Sequence, residues 1–285
     1  MHESAPTPPT ISAQEFEKFG EFFYRKTGIR FESSKRYFVD KRLLERMEVT
    51  GSDSFRSYFT MLRFEASGEE LQLLTNLMTV NETYFFREEY QFECLVRSIL
   101  PAIVARKRDH SPIRIWAVPS SSGEEAYSIA LYLLEYWSGI ADWDVEIIAS
   151  DIDTKILSEA KRGLYSERSV QHLPPKLLLK YFERSGNCYQ ISDTLRDAVD
   201  FTRVNLTSRA DTRSYRNFDV VFCRNLLIYF DDASRRAAAE TFFEALNPEG
   251  FVCLGHSESM SRISSLFTVH KFPEAIIYQK PGTGQ

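Results

Sequence analysis

The 285-residue chain has only four cysteines, Cys94, Cys188, Cys223 and Cys253, and none stands in a CxxC or His/Cys ligand spacing. That argues against a disulfide framework and a thiolate metal site. Cys223 and Cys253 lie in apolar strand-like runs and read as reduced core thiols of a cytoplasmic protein. No apolar run approaches the roughly 20 residues of a membrane span, and the opening MHESAPTPPT lacks the basic and apolar segments of a secretion signal. A net charge of −5 gives no general attraction to nucleic acid or an anionic bilayer. Repeats and low-complexity tracts are missing, and the Pro-rich opening (1–11) and the end of the closing KPGTGQ (281–285) read as disordered tails.

What is present falls into two patterns. Over 12–80, Phe16, Phe19, Phe22 and Phe23 recur at helical spacing, and a Ser33-Ser34 start leads into KRYFVDKRLLERM. SDSF caps a segment with Tyr58, Phe59 and Leu62, and EELQLLTNLM supplies Leu71, Leu74, Leu77 and Met78. This predicts a small all-helical domain. Residues 81–110 predict a linker and a helix. From 111 to 280, strands at 113–118, 145–150, 218–223 and 251–255 alternate with helices at 124–137, 154–162 and 231–246, which predicts an α/β domain with a largely parallel sheet. LFTVHKFPEAIIYQK reads as an antiparallel edge hairpin turning at Pro273, and about 185–204 reads as an inserted β-ribbon.

The stretch RIWAVPSSSGEEAYSIALYLL, followed by VEIIASDID, carries the chemistry. An apolar strand enters a small-residue turn that opens a helix, and a second strand ends on acids, the arrangement by which open α/β sheets hold nucleoside ligands beyond their strands' carboxyl ends. Asp151 is placed for ribose hydroxyls. A diphosphate is disfavoured, because the turn has only Gly123, Pro119 stands where another glycine is wanted, and Glu124 and Glu125 occupy the helix start. Two carboxylates there suit a cationic nucleoside with an amino-acid end, which favours S-adenosylmethionine over NAD. On a plainer reading they complement the helix dipole alone.

TNLMTVNETYFFRE, SSSGEEAYSIA, ASDIDTKIL, KRGLYS, VDFTRVNL, FDVVFCRNLLIYFDD and LNPEGFVCLGHSE stand in an order and spacing that resembles the chemoreceptor glutamate O-methyltransferases, the CheR family. The resemblance covers nearly everything after about residue 12. It implies a class I S-adenosylmethionine-dependent, Rossmann-like methyltransferase domain with an antiparallel β-subdomain and a small N-terminal helical domain. It also implies methyl transfer to receptor glutamates in chemosensory adaptation, with S-adenosylhomocysteine as product and no metal. The cofactor contacts it implies fall on Asn81, Thr83, Arg87, Glu124, Asp151, Asn205, Leu206, Arg224 and Asn225.

By chemistry, Arg87 suits the methionyl carboxylate, Glu124 the α-ammonium or its surroundings, and Asn205 and Leu206 the adenine. Arg87 could instead form a surface ion pair with Glu88 or Glu89, and Asn81 and Thr83 could cap a helix. Tyr229 is placed nearest the transferred methyl, with Arg87 as the other catalytic candidate; its alternative is a core tyrosine. His256 reads as structural, since an ionised acceptor needs no base.

Lys35, Arg36, Lys41, Arg42 and Arg46 put a cationic face on the second helix, which the resemblance directs toward the acidic methylation helices of a receptor. A merely solvated face is the alternative. Pro119 and Ser120 depart from the family's usual turn. The short ribbon lacks the Gly-rich insertion of members that tether to a receptor's C-terminal pentapeptide, so no tether is expected. The expectation is a monomeric cytoplasmic enzyme that reaches the membrane only through its receptor and binds no nucleic acid. The alternative is a non-catalytic cofactor-binding adaptor.

Overall fold

The computed structural model describes residues 10–107 and 111–282. The chain divides into two compact units, up to Val80 and from Asn81 onward. Most of both expected tails, 1–9 and 283–285, lies outside the described residues.

In the first unit, α1 (Ala13–Thr27) starts at a capping box in which Ser12 accepts from the Glu15 N–H while the Glu15 side chain accepts from the Ser12 N–H. It ends on Gly28 at φ 75°. α2 (Arg36–Val49), α3 (Phe55–Phe64) and α4 (Glu69–Met78) complete the bundle. Phe16, Phe19, Phe22 and Phe23 pack with Val39, Leu43, Met47, Tyr58 and Leu74. Each such side chain contributes about 1.5–3 kcal/mol by leaving water. Ile11 joins this core at 5 % exposure and its carbonyl accepts from Arg36, so the ordered unit begins before the expected end of the tail at 11.

The second unit opens on a strap, residues 81–89, then α5 (Tyr90–Cys94), a π turn (Leu95–Ile99) and α6 (Leu100–Arg106). Strands β1 (Ile113–Ala117), β2 (Val145–Asp151), β6 (Val199–Arg203), β7 (Phe218–Cys223), β8 (Leu246–Leu254), β9 (Thr268–Lys271) and β10 (Ile276–Gln279) form a seven-stranded sheet in the order β6-β2-β1-β7-β8-β10-β9. Only β10 runs against its neighbours. Between β1 and β2 lies α7 (Glu124–Tyr136), and α8 (Thr154–Arg162) follows β2. At the sheet's other end, buried Asp219 accepts from Lys107, the Arg114 N–H and Asn247, which fixes the strand starts.

The inserted antiparallel sheet is built differently from the expected ribbon. Its order is β3 (Leu164–Ser166), β5 (Cys188–Ile191), β4 (Phe182–Ser185), flanked by α9 (Glu167–Val170), α10 (Pro175–Tyr181) and α11 (Asp193–Arg196). Residues Val199–Arg203, assigned to the ribbon from sequence, are instead the parallel edge strand beside β2. The alternation that buries Val199 and Phe201 suits a ribbon and a half-covered edge strand equally, so periodicity does not separate them. α12 (Arg209–Thr212) and α13 (Asp232–Ala245) complete the unit.

Candidate active site

The carboxyl ends of β1, β2, β6 and β7 meet at the point where strand order reverses, between β1 and β7, and the strap comes to the same end of the sheet. Gly123, at φ 95°, allows the turn after β1: a Cβ there would lie 3.0 Å from Tyr127 and 3.1 Å from both Ala160 and Phe201. The Val118–Pro119 peptide before it is cis.

Two buried carboxylates line this turn. Glu124, 3 % exposed, accepts from the hydroxyls of Ser122 (2.6 Å) and Ser169 (2.7 Å). Asp151, also 3 % exposed, accepts from the N–H groups of Ser121 (2.8 Å) and Asp153 (3.0 Å). Burial pushes both carboxyls up, Asp151 to about 6, against the pull of those donors. Neither forms an ion pair among the described residues. Buried carboxylates held by neutral donors alone are electrostatically incomplete, and a ligand that brings positive charge and hydroxyl protons would complete them. A diphosphate would add like charge.

The strap is anchored through its backbone. Phe85 donates its N–H to the Ser169 carbonyl (3.0 Å) and Phe86 to the Ser128 hydroxyl (3.1 Å), while both rings are buried. Phe86 and Glu88 flank Arg87 at φ 61° and 54°, the left-handed region that non-glycine residues occupy only when their surroundings hold them there. Arg87 donates to the Glu82 carbonyl (3.0 Å), and its guanidinium lies 5.8 Å from the Tyr84 ring centre. It forms no ion pair among the described residues. Its acidic neighbours are engaged elsewhere, Glu88 with His256 (2.9 Å) and Arg224, and Glu89 with the Tyr132 hydroxyl (2.6 Å). Asn81 donates to Asp153 (2.9 Å), the N-cap of α8, and so joins the strap to the end of β2. Thr83 is partly exposed on the strap.

Across the crevice, Asn205 accepts from the Thr207 N–H and hydroxyl and is 6 % exposed, as is Leu206. Asn225 sits in a left-handed turn (φ 57°) just after β7, and Tyr229 is 46 % exposed on the following 3-10 turn, which rules out the core-tyrosine alternative. Among the described residues, no group of three or more His, Cys, Asp or Glu side chains is arranged to hold a metal.

Several residues take parts other than those expected from sequence. Arg224 has a side chain only 1 % exposed, and it reaches Glu125 (2.9 Å), Glu88 (3.5 Å) and the Arg87 carbonyl. It is an internal clasp between strap, turn and β7 rather than a group presented to a ligand. On α2, Arg46 forks onto Glu70 (2.9 and 2.5 Å), which also accepts from Tyr58. Arg42 lies over the Phe38 ring and donates to the Leu77 and Phe38 carbonyls, and Arg36 bonds Asp40 and the Ile11 carbonyl. Of the five docking candidates, only Lys35 and Lys41 are exposed, and the three arginines are half-buried. Cationic spacing on a helix does not distinguish charges that face water from those that fold back as staples. Glu88, Asp153, Ser169 and Glu258 belong to the site's framework and went unassigned, because each acts through backbone or distant partners that leave no spacing signal.

A sheet with one reversed strand near its edge, an acidic turn after β1 and a buried carboxylate at the end of β2 define the Rossmann-like methyltransferase class. Comparison with known proteins narrows this. Residues 81–276 match the family model described as the CheR methyltransferase, SAM binding domain, and residues 14–79 match its all-alpha domain. Chemotaxis protein methyltransferase 2 of Vibrio cholerae is 57 % identical over 276 residues, covering 96 % of each chain. The chemotaxis protein methyltransferase of Escherichia coli is 34 % identical over 263 residues, covering 91 % of this chain and 89 % of that one. A third relative, chemotaxis protein methyltransferase 2 of Pseudomonas aeruginosa, is 38 % identical over 278 residues, 93 % of this chain and 96 % of that one. The chain belongs to the CheR family of chemotaxis methyltransferases, with S-adenosylmethionine as its cofactor.

Proposed function

We propose that this protein methylates glutamate side-chain carboxylates on the cytoplasmic helices of chemoreceptors, forming methyl esters during chemosensory adaptation. The observation that carries the reading is the pair of buried carboxylates, Glu124 and Asp151, which form no ion pair among the described residues and lie at the end of the sheet to which the arginine-bearing strap comes. When bound, S-adenosylmethionine supplies an electrophilic methyl group to an ionised carboxylate and is left as S-adenosylhomocysteine.

The chain's own residues bind and orient. Arg87 offers a two-pronged donor to the methionyl carboxylate. Glu124 takes the α-ammonium and Asp151 the ribose hydroxyls, while Asn81 and Thr83 hold the strap end, Asn205 and Leu206 the adenine, and Asn225 meets the cofactor from the end of β7. Tyr229 faces the incoming carboxylate and helps exclude water. A glutamate with a pKa near about 4.3 is already ionised at neutral pH, so no general base is required. The protein's task is alignment, with the reacting atoms brought to about 3 Å before reaction.

Docking rests on the exposed Lys35 and Lys41 of the helical unit, which would meet acidic receptor helices by charge complementarity. No helix among the described residues is long and apolar enough to cross a membrane, and contact with the membrane through the receptor suffices. The tight β4–β5 connection at Gly186 and Asn187 offers no long insertion for a receptor-tail tether. Calorimetry with the isolated pentapeptide is expected to show no binding, and micromolar affinity would contradict this.

The functional test is transfer of tritium from labelled S-adenosylmethionine to receptor-enriched membranes, with release as methanol in mild base. Arg87→Ala and Asp151→Ala are expected to abolish transfer. Label that resists base would refute ester formation.

A further inference from the structure

We infer that Glu258 is a positioning residue for methyl transfer: its carboxylate fixes the left-handed turn at Asn225 and the loop that leads to Tyr229. Oε2 accepts from the N–H groups of Asn225 (2.8 Å) and Gly255 (2.9 Å), and Oε1 accepts from the N–H of Leu227 (2.7 Å). One side chain therefore holds three backbone donors from the ends of two neighbouring strands. Asn225 and Leu227 bracket the point where the chain leaves β7 and turns toward the exposed Tyr229.

The seat for this carboxylate is made by a glycine. A Cβ on Gly255 would lie 2.9 Å from Glu258 Oε2, 3.0 Å from Asn225 Nδ2 and 3.1 Å from the Asn225 nitrogen. Any larger residue would push the carboxylate away from the turn it holds. The chemistry also demands an ionised acid. A glutamine has one acceptor oxygen, and its amide would direct N–H groups at backbone N–H groups already lacking an acceptor. Asparagine tolerates the left-handed φ of 57°, and the carboxylate's bond to its N–H fixes the direction in which the turn leaves β7. Glu258 touches neither Glu124 nor Asp151 and reaches the cofactor side only through the Asn225 backbone N–H, so its effect should fall more on the acceptor side of the crevice than on the cofactor pocket.

The inference rests on the proposed reading that Tyr229 faces the acceptor, and its test separates the two. Glu258→Gln is measured for thermal midpoint, S-adenosylhomocysteine affinity, receptor methylation and amide hydrogen exchange. The midpoint is expected to move by only about a few degrees and the affinity by less than about threefold. kcat should fall by about tenfold to a hundredfold, the penalty of a small misplacement, and exchange at Asn225 and Leu227 should quicken by about tenfold or more. Glu258→Asp, which keeps the charge, is expected to recover part of kcat. Gly255→Ala should reproduce the same split with Glu258 intact, and it serves if the glutamine variant does not fold. A kcat within about twofold of the parent refutes the inference. So does a loss of kcat matched by equal losses of affinity and midpoint, which marks a merely structural side chain. If the unmodified protein methylates no receptor, the proposed function fails, and exchange alone decides the role of Glu258: unchanged protection in Glu258→Gln overturns it.

Discussion

Asp151 makes cofactor affinity depend on pH in a direction fixed by its burial. Burial raises its carboxyl from 3.8 to about 6, and the N–H groups of Asp153 and Ser121 recover only part of the difference. A folded-state value above the unfolded one means that the protonated acid favours the fold. Its stabilising contribution is whole below about 3.8 and is lost as pH rises through about 6, so ionisation costs the cofactor-free protein about 3 kcal/mol at neutral pH. A ligand that donates hydroxyl protons to this carboxylate needs the ionised form and reverses the preference. Between pH 7.5 and pH 5, S-adenosylhomocysteine affinity should therefore fall about tenfold, or about 1.4 kcal/mol, with about half a proton released per binding event at pH 6 and close to one near pH 5. Titration calorimetry in two buffers of different ionisation enthalpy measures both. Asp151→Asn is the control: it leaves one backbone donor facing an amide, so its absolute stability shifts, but its binding should lose the step near pH 6. Equal affinity at both pH values, or the same step in Asp151→Asn, would refute the reasoning.

Three further outcomes follow from particular contacts. Arg46→Ala strands Glu70, which is 5 % exposed, with the Tyr58 hydroxyl as the donor left to its carboxylate among the described residues; the helical unit should lose about 3–5 kcal/mol in denaturant unfolding, and a loss under about 1 would contradict a structural salt bridge. Lys35→Glu with Lys41→Glu should instead leave stability and product affinity unchanged while slowing receptor methylation severalfold at low salt, an effect that about 0.5 M salt should largely erase; a stability loss would show that these lysines are not free surface charges. Gly123→Ala meets both a positive φ and three side chains within 3.1 Å of the new Cβ, so it should destabilise the methyltransferase unit by about 1–3 kcal/mol and weaken product binding. Unchanged calorimetric binding and midpoint would show that the turn yields easily.

The parts of this molecule legible in its sequence are those governed by local pattern. Helical spacing of phenylalanines, the strand–turn–helix around Gly123 and the acidic end of β2 each announce themselves within a few residues. What escaped depends on where distant segments meet. Val199–Arg203 has the alternation of a ribbon, and only its partner β2 decides that it is a sheet edge. Arg42 and Arg46 share the spacing of Lys41, yet Phe38 and Glu70 draw them inward. Arg224 sits beside Asn225 in one motif, but the burial of its side chain between Glu88 and Glu125 gives it a different task. Glu258 gives no signal at all, because its partners are backbone N–H groups more than 30 residues away as well as one nearby.

The most direct test of the central claim is peptide mass spectrometry of a receptor cytoplasmic fragment after incubation with this protein and S-adenosylmethionine. Methyl groups should appear on glutamate side chains, vanish under mild base, and be missing with Arg87→Ala. Methylation confined to lysine, arginine or the peptide backbone, or glutamate esters undiminished in Arg87→Ala, would contradict it.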